Sequence, residues 1–260
     1  NLYWPQLKRA LVFLPSKEEQ TAIANFLDQK TAQIDEAIAI KERQIELLKE
    51  RKQIIIQKAV TQGLNPNVPM KDSGVEWIGK VPKGWKIAKL KHFIKILPGY
   101  AFKSEKYSDN ANDLKLLRGV NVSPNQIKWE ETVYWPKNRI RGLENFILSE
   151  KDLVIAMDRP WISTGIRLAE IESSDLPCLL LQRVGRIRTN EELSPKYLKL
   201  LLNTNLFLNY FEPMLTGISV PHISPEQIAS FLCPVPPVHE QIAILEKIDS
   251  ENKLISSAID

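Results

Sequence analysis

The feature that most constrains this chain is a run from Lys17 to Thr61 that contains neither glycine nor proline. Apolar residues recur along it at alternate spacings of four and three once the skipped positions Lys41 and Lys52 are counted, which is the period of a coiled-coil seam. The seam consists of Ile34, Ile38, Ile45, Leu48, Ile55 and Ala59. At 1.5 Å per residue the helix would be about 65 Å long. The pattern therefore favours a coiled-coil arm over an amphipathic helix lying on a domain.

Signals at both ends of this run set the domain bounds. Ser16 and Glu19 have the spacing of a capping box, and Gly63 and Pro66 end the helix. We therefore predict five segments. They are the tail of a preceding unit (1–15), the long helix (16–62), a linker (63–74), a compact domain (75–235) and the start of a second helix (236–260).

The compact domain has a mixed α/β (α+β) pattern. Short β-type runs separated by loops rich in Asn, Ser, Pro and Gly lie at 115–122, 152–157, 165–171 and 178–187. A helix is predicted over 197–211, introduced by Ser194 and Pro195, and a short one over 225–230.

The end of the chain repeats the beginning of the long helix. Ten identities appear when residue 11 is placed on residue 232 and the following residues are matched in order. Leu11, Pro15, Glu19, Gln20, Ala22, Ile23, Asp28, Ile34, Ala37 and Ile38 match Leu232, Pro236, Glu240, Gln241, Ala243, Ile244, Asp249, Ile255, Ala258 and Ile259. An internal duplication of this kind favours antiparallel pairing of two helices that share one seam. On the second helix the interface is expected at Ile248, Ile255 and Ile259.

Several functional classes are disfavoured by composition. Cys178 and Cys233 are isolated, and with three histidines the sequence predicts neither a metal site nor a disulfide framework. No apolar run reaches membrane-spanning length and no secretory signal is evident, so we expect a cytoplasmic protein without a membrane partner. The ten glycines never form a GxG pair, which argues against a nucleotide-binding loop. We predict no catalytic residues. The net charge of +4 is compatible with nucleic acid but does not establish it.

Several segments together resemble a known family. They are the repeats EEQTAIANFLD and PPVHEQIAILEKID, the module SGVEWIGKVPKGWKIAKLK, the strand and loop DLVIAMDRP, and GISVPHISPEQIASFLCPVPP. These segments are spread along the chain from residue 18 to residue 249, and their combination is similar to the specificity (S) subunits of Type I restriction–modification systems.

The resemblance implies an architecture. Such subunits carry two target-recognition domains, each followed by a long conserved helix, and the helices pair as an antiparallel coiled coil. Residues 1–15 then end a first recognition domain, 16–62 form the central conserved helix, 75–235 the second recognition domain, and 236–260 the start of the distal helix. The chain is expected to be a fragment or a half-subunit, and a half-subunit would form a homodimer through the long helix.

The resemblance also implies a non-catalytic role. The chain would read one half of a bipartite target in double-stranded DNA and hold the modification (methyltransferase) and restriction subunits. S-adenosylmethionine, ATP and magnesium would belong to those partners, and the chain itself would need no cofactor. Two alternatives stay open: a coiled-coil adaptor that does not read DNA, and a stand-alone DNA methyltransferase.

The candidate DNA-contacting residues lie mainly in loops. Arginine and asparagine can bond guanine and adenine through paired hydrogen bonds, and lysine contacts phosphates. The candidates are Lys103, Arg118, Asn121, Arg159, Trp161, Ser163, Thr164, Gln182, Arg183, Arg186, Ser219 and His222. Arg118 and Arg183 could equally be structural ion-pair partners, and His222 an ordinary loop histidine.

Overall fold

The computed structural model describes residues 13–215 and 221–259. Ser219, residues 1–12 of the predicted N-terminal tail, and the side chain of Ile259 lie outside the described residues. The chain divides into two compact units, one reaching Arg51 and the other beginning at Lys52.

Helix α1 runs over Lys17–Gln62, a length of 46 residues, as the sequence predicts. Its first turn has the predicted capping box, since Glu19 N donates to Ser16 Oγ (3.3 Å) and Ser16 N donates to Glu19 Oε2 (2.9 Å). It ends before Gly63, whose φ of +74° favours glycine. Along α1, only residues beyond Arg51 are buried among those the structure describes.

The second unit is built on a four-stranded antiparallel sheet. Its strands, in spatial order, are β12 (Leu168–Glu170), β9 (Leu153–Ala156), β14 (Val184–Thr189) and β4 (Ile94–Pro98). A three-stranded sheet has the order β13 (Cys178–Leu180), β5 (Leu114–Leu117) and β8 (Val133–Trp135), with β13 and β5 parallel. The remaining strands pair in twos: β1 (Met70–Asp72) with β2 (Lys80–Pro82), β3 (Lys86–Lys89) with β15 (Leu232–Val235), β6 (Val122–Ser123) with β7 (Gln126–Ile127), and β10 (Trp161–Ile162) with β11 (Gly165–Ile166).

The four-stranded sheet is covered on both faces, which explains the unbroken apolar run in β9. Successive side chains of a strand point to opposite faces. Leu153 and Ile155 enter one core with the helices, whereas Val154 and Ala156 enter a second core with β13.

Four helices accompany the sheets: α2 (Pro195–Leu202), α3 (Asn205–Phe211), α4 (Pro225–Ser230) and α5 (Val238–Ile259). The single helix expected over 197–211 is wrong, because Asn203 ends α2 and the extended Thr204 caps α3. Side chains of this type bond nearby backbone groups and so favour helix ends.

Within the second unit, the end of α1 and helix α5 share one core. Ile56, Ala59 and Val60 lie in the same buried cluster as Ile244 and Ile248. Residues 64–68 line a cleft with 240–244, and residues 52–56 line another with 248–255. The two segments therefore run antiparallel here.

The two copies of the duplicated motif share a side-chain hydrogen bond as well as residue identities. Gln20 Nε2 donates to Pro15 O and Gln241 Nε2 donates to Pro236 O, both at 2.8 Å. Gln241 is also fully buried and its Oε1 accepts from Ser194 N (2.8 Å), which fixes the start of α5 against the domain. The repeated glutamine thus bonds the carbonyl of the proline five residues earlier at the start of both helices.

Candidate nucleic-acid interface

Four loops of the second unit meet at one place, and we refer to them as the loop cluster. They are residues 118–122 after β5, 158–165 after β9, 181–183 between β13 and β14, and 221–222 before α4.

Asp158 joins three of these loops. Its Oδ1 lies 2.8 Å from Nδ1 of His222 and 3.5 Å from Nη1 of Arg183. The backbone supports the same arrangement, because Arg159 N donates to Pro221 O at 2.7 Å. The structure therefore brings Arg159, Arg183 and His222 together, although they are far apart in sequence.

Arg167 joins the fourth loop to this group. Its Nε donates to Val122 O (2.9 Å), its Nη1 to Asp158 O (3.1 Å), and its Nη2 to Gly119 O. Burial is the main cause that lowers the pKa of Arg167, and the nearby Arg159 adds to it. Sequence reasoning missed Arg167 and Asp158 as site residues; the one available signal was an arginine inside the apolar run 165–171.

Arg118 and Asn121 mainly stabilise their own loop. Arg118 Nη2 donates to the carbonyl of Glu131 and lies 3.5 Å from its carboxylate. Asn121 is 1% exposed; its Oδ1 accepts from Arg118 N (3.0 Å) and its Nδ2 donates to Lys128 O (2.8 Å). The ion-pair interpretation of Arg118 therefore agrees with the geometry, and the Asn121 amide has both its polar atoms engaged.

The exposed part of the loop cluster is polar and cationic. Arg159, Ser163, Thr164, Gln182 and Arg183 are exposed. Arg159 and Arg183 both have left-handed backbones, with φ of 45° and 73°. Such conformations are costly for residues other than glycine and occur often at functional sites. In the same loops, the half-buried Trp161 packs against the larger core.

Two further candidates lie beside the cluster. Arg186 Nη1 donates to Asn145 O (3.0 Å) and Ile147 O (3.3 Å), and burial is the main cause that lowers its pKa. Lys103 is exposed. Its segment adjoins the 181–183 loop, because Gln182 N donates to Tyr100 O at 2.9 Å.

Two absences can be stated for residues 13–215 and 221–259. No group of three or more His, Cys, Asp or Glu side chains there is arranged to hold a metal ion. No helix in those ranges is both long and apolar enough to cross a membrane.

Comparison with known proteins shows which family the second unit belongs to. A family model described as "Type I restriction modification DNA specificity domain" matches residues 82–258, and the chain belongs to this family. The match covers the four loops and helix α5 except for its last residue.

Two curated relatives agree with this assignment. The chain is 37% identical over 208 residues to the Type I restriction enzyme EcoAI specificity subunit of Escherichia coli, which covers 78% of this chain and 34% of the relative. It is 31% identical over 243 residues to the MjaVIII specificity subunit of Methanocaldococcus jannaschii, covering 93% of this chain and 55% of the relative. The chain therefore spans about a third to a half of these relatives.

Solved structures show the same fold. One is described as "Structural basis underlying complex assembly and conformational transition of the type I R-M system", with a TM-score of 0.68 and 16% identity, covering 95% of this chain and 54% of that one. Another is the HsdS subunit from Thermoanaerobacter tengcongensis, with a TM-score of 0.59 and 17% identity, covering 94% and 53%. At this identity the likeness concerns the fold alone.

Proposed function

We propose that this chain is a non-catalytic DNA-recognition subunit of a Type I restriction–modification complex that reads one half of a bipartite target. The observation that carries the proposal is the convergence of four loops with exposed arginines inside the segment matched by the family. The activity of the complex would reside in its partners, together with S-adenosylmethionine, ATP and magnesium.

The residues of the loop cluster suit the two kinds of contact that DNA reading requires. Arg159 and Arg183 are exposed cations suited to phosphates, which position a protein on the duplex. Gln182 and His222 offer hydrogen bonds to base edges, and the Ser163–Thr164 turn offers hydroxyls. Arg118, Asn121 and Arg186 would act chiefly by supporting the loops, given their intramolecular bonds.

The long helix suits a spacer between two reading domains. Its 46 residues correspond to about 69 Å at 1.5 Å per residue. Half-sites one helical turn apart are separated by about 34–36 Å. The antiparallel contact between the end of α1 and α5 supports an antiparallel coiled coil that continues through Ile45 and Leu48.

The exposed apolar residues of α1 would form the rest of the proposed coiled-coil interface. Ile34 and Ile38 are exposed although they occupy seam positions. In the proposed assembly Ile34 and Ile38 are covered either by a longer distal conserved helix or by the long helix of a second copy of the chain. Modification and restriction subunits would join this scaffold to the DNA.

The salt dependence of DNA binding tests the proposal. Affinity for duplex DNA is measured between 50 and 200 mM salt, with modification subunits present, for the wild type and for Arg159→Ala and Arg183→Ala. Each variant should bind more weakly, and each lost phosphate contact should reduce the log–log salt slope by about 0.9.

Arg141→Ala is the matched control, because it removes another exposed arginine from outside the loop cluster. The control should retain the wild-type slope. Equal losses in all three variants would contradict the assignment of the loop cluster. Absence of any DNA binding by the wild type would favour the adaptor alternative, and methyl transfer by the isolated chain would favour the methyltransferase.

A further inference from the structure

We infer that Arg167 is a positioning residue that makes the 118–122 and 158–165 loops act as one reading surface, so that it governs sequence discrimination without touching DNA. This inference rests on the proposed DNA-reading function. It concerns a residue that is half-buried, whereas Arg159 and Arg183 are exposed, and whose guanidinium donates to backbone carbonyls of the same chain.

The contacts of Arg167 span both loops. On one side its Nε and Nη2 donate to the carbonyls of Val122 and Gly119. On the other side its Nη1 donates to the carbonyls of Asp158 (3.1 Å) and Arg159 (3.5 Å). Among the described residues, these four carbonyls are the hydrogen-bond partners of the Arg167 side chain, so its guanidinium is used to hold backbone.

A guanidinium is suited to this arrangement in a way that an ammonium is not. It presents five N–H donors in a rigid planar fork, and one such group can reach carbonyls in different directions. Lysine retains the charge but places its three donors on a single nitrogen, so it cannot reproduce contacts that Arg167 makes from three separate nitrogens.

The neighbouring bonds extend the effect of Arg167 to the rest of the loop cluster. Asp158 and Arg159, whose carbonyls accept from Arg167, bond onward to other loops: the Asp158 carboxylate to His222 and Arg183, and Arg159 N to Pro221 O. A shift of residues 158–159 would therefore move the side chains proposed to contact DNA.

The contact between the Arg167 guanidinium and the Gly119 carbonyl does not require a glycine at position 119. A Cβ at this position would lie 3.9 Å from Nη2 of Arg167, in ordinary contact. The approach of the guanidinium to the Gly119 carbonyl is therefore compatible with a small side chain, and the coupling depends on the arginine rather than on the glycine.

Arg167→Lys is the main test, with Arg188→Lys as the control. Arg188 forms a two-point bond to the Asp152 carboxylate (2.5 and 2.8 Å) outside the loop cluster, so its replacement also disturbs a structural guanidinium. The probes are the best duplex obtained by selection from a randomised library and a scrambled duplex of equal length, each bound with modification subunits present.

Arg167→Lys should lower the affinity ratio of selected to scrambled duplex about tenfold, the effect of losing one well-placed base contact. Its salt slope should fall by less than the value of about 0.9 expected when one phosphate contact is removed, because every cation of the loop cluster is kept. Arg188→Lys should retain the wild-type ratio. A wild-type ratio in Arg167→Lys, or the same loss in both variants, would overturn the inference.

Amide hydrogen exchange tests the coupling independently of DNA. The amides of Asn121 and Arg159 are both hydrogen-bonded to backbone, at 3.0 and 2.7 Å. Both should exchange faster in Arg167→Lys and remain unchanged in Arg188→Lys; unchanged rates in Arg167→Lys would contradict the role. If Arg167→Lys folds poorly, Arg167→Gln provides a second variant with the same expected exchange pattern. If the wild type does not discriminate between selected and scrambled duplex, the proposed DNA-reading function is wrong. The hydrogen-exchange result would still test the coupling of the two loops.

Discussion

The packing of α5 against the end of α1 predicts a large and local loss of stability when Ile248 is shortened. Ile248 is 4% exposed and shares a buried cluster with Ile56. Buried isoleucine-to-alanine changes cost about 2–5 kcal/mol, because apolar contact is lost and a cavity remains. For a domain of this size, that corresponds to a fall in melting temperature of roughly 5–15 °C.

The assay is urea unfolding followed by circular dichroism for Ile248→Ala and Ile242→Ala. Ile242 lies on the same helix but is 49% exposed, so its replacement should change stability by about 0.5 kcal/mol or less. Combining Ile248→Ala with Ile56→Ala should give a coupling energy of about 0.5–3 kcal/mol. The pairing of the two helices would be refuted if Ile248→Ala and Ile242→Ala lowered the free energy of unfolding equally and if the effects of Ile248→Ala and Ile56→Ala were additive.

Three further predictions concern the interior of the domain. Tyr197 is fully buried and its hydroxyl has no hydrogen-bond partner among the residues that the structure describes, so Tyr197→Phe should raise the free energy of unfolding by about 1 kcal/mol in urea denaturation. A Cβ on Gly99 would lie 2.1 Å from Leu181 O, so Gly99→Ala should destabilise the chain by about 2–3 kcal/mol. Gly84→Ala is the comparison, because a Cβ there would meet nothing within 4 Å and Gly84 does not have a positive φ. Burial raises the pKa of the Cys178 thiol from 9.0 to about 12, and it also raises the pKa of the Cys233 thiol. The folded state therefore keeps protons that the unfolded state releases, so stability should fall as pH rises above 9; a urea midpoint at pH 10.5 equal to that at pH 7.5 would contradict this.

Local signals in the sequence predicted the long helix and its ends. The capping box at Ser16 and Glu19 and the stop at Gly63 depend on residues within one turn, and the structure has both. The duplication predicted equivalent helix starts, and the matching bonds of Gln20 and Gln241 agree with that equivalence.

The candidate site was only partly predictable because its organisation depends on contacts that are distant in sequence. Asp158 meets His222 across 64 positions, and Arg167 meets Gly119 across 48. A base-reading asparagine and a structural one look alike in a sequence; the burial of Asn121 distinguishes its environment. The seam positions Ile34 and Ile38 likewise reveal an apolar face but not the partner that would cover it.

Selection of duplexes from a randomised library tests the central claim most directly. The chain is mixed with modification subunits, and bound DNA is recovered and sequenced over several rounds, in parallel with the double variant Arg159→Ala/Arg183→Ala. The wild type should enrich one contiguous half-site, and the double variant should enrich it weakly or not at all. Recovery of unselected sequences by the wild type, or equal enrichment by both proteins, would contradict the claim that the loop cluster reads DNA.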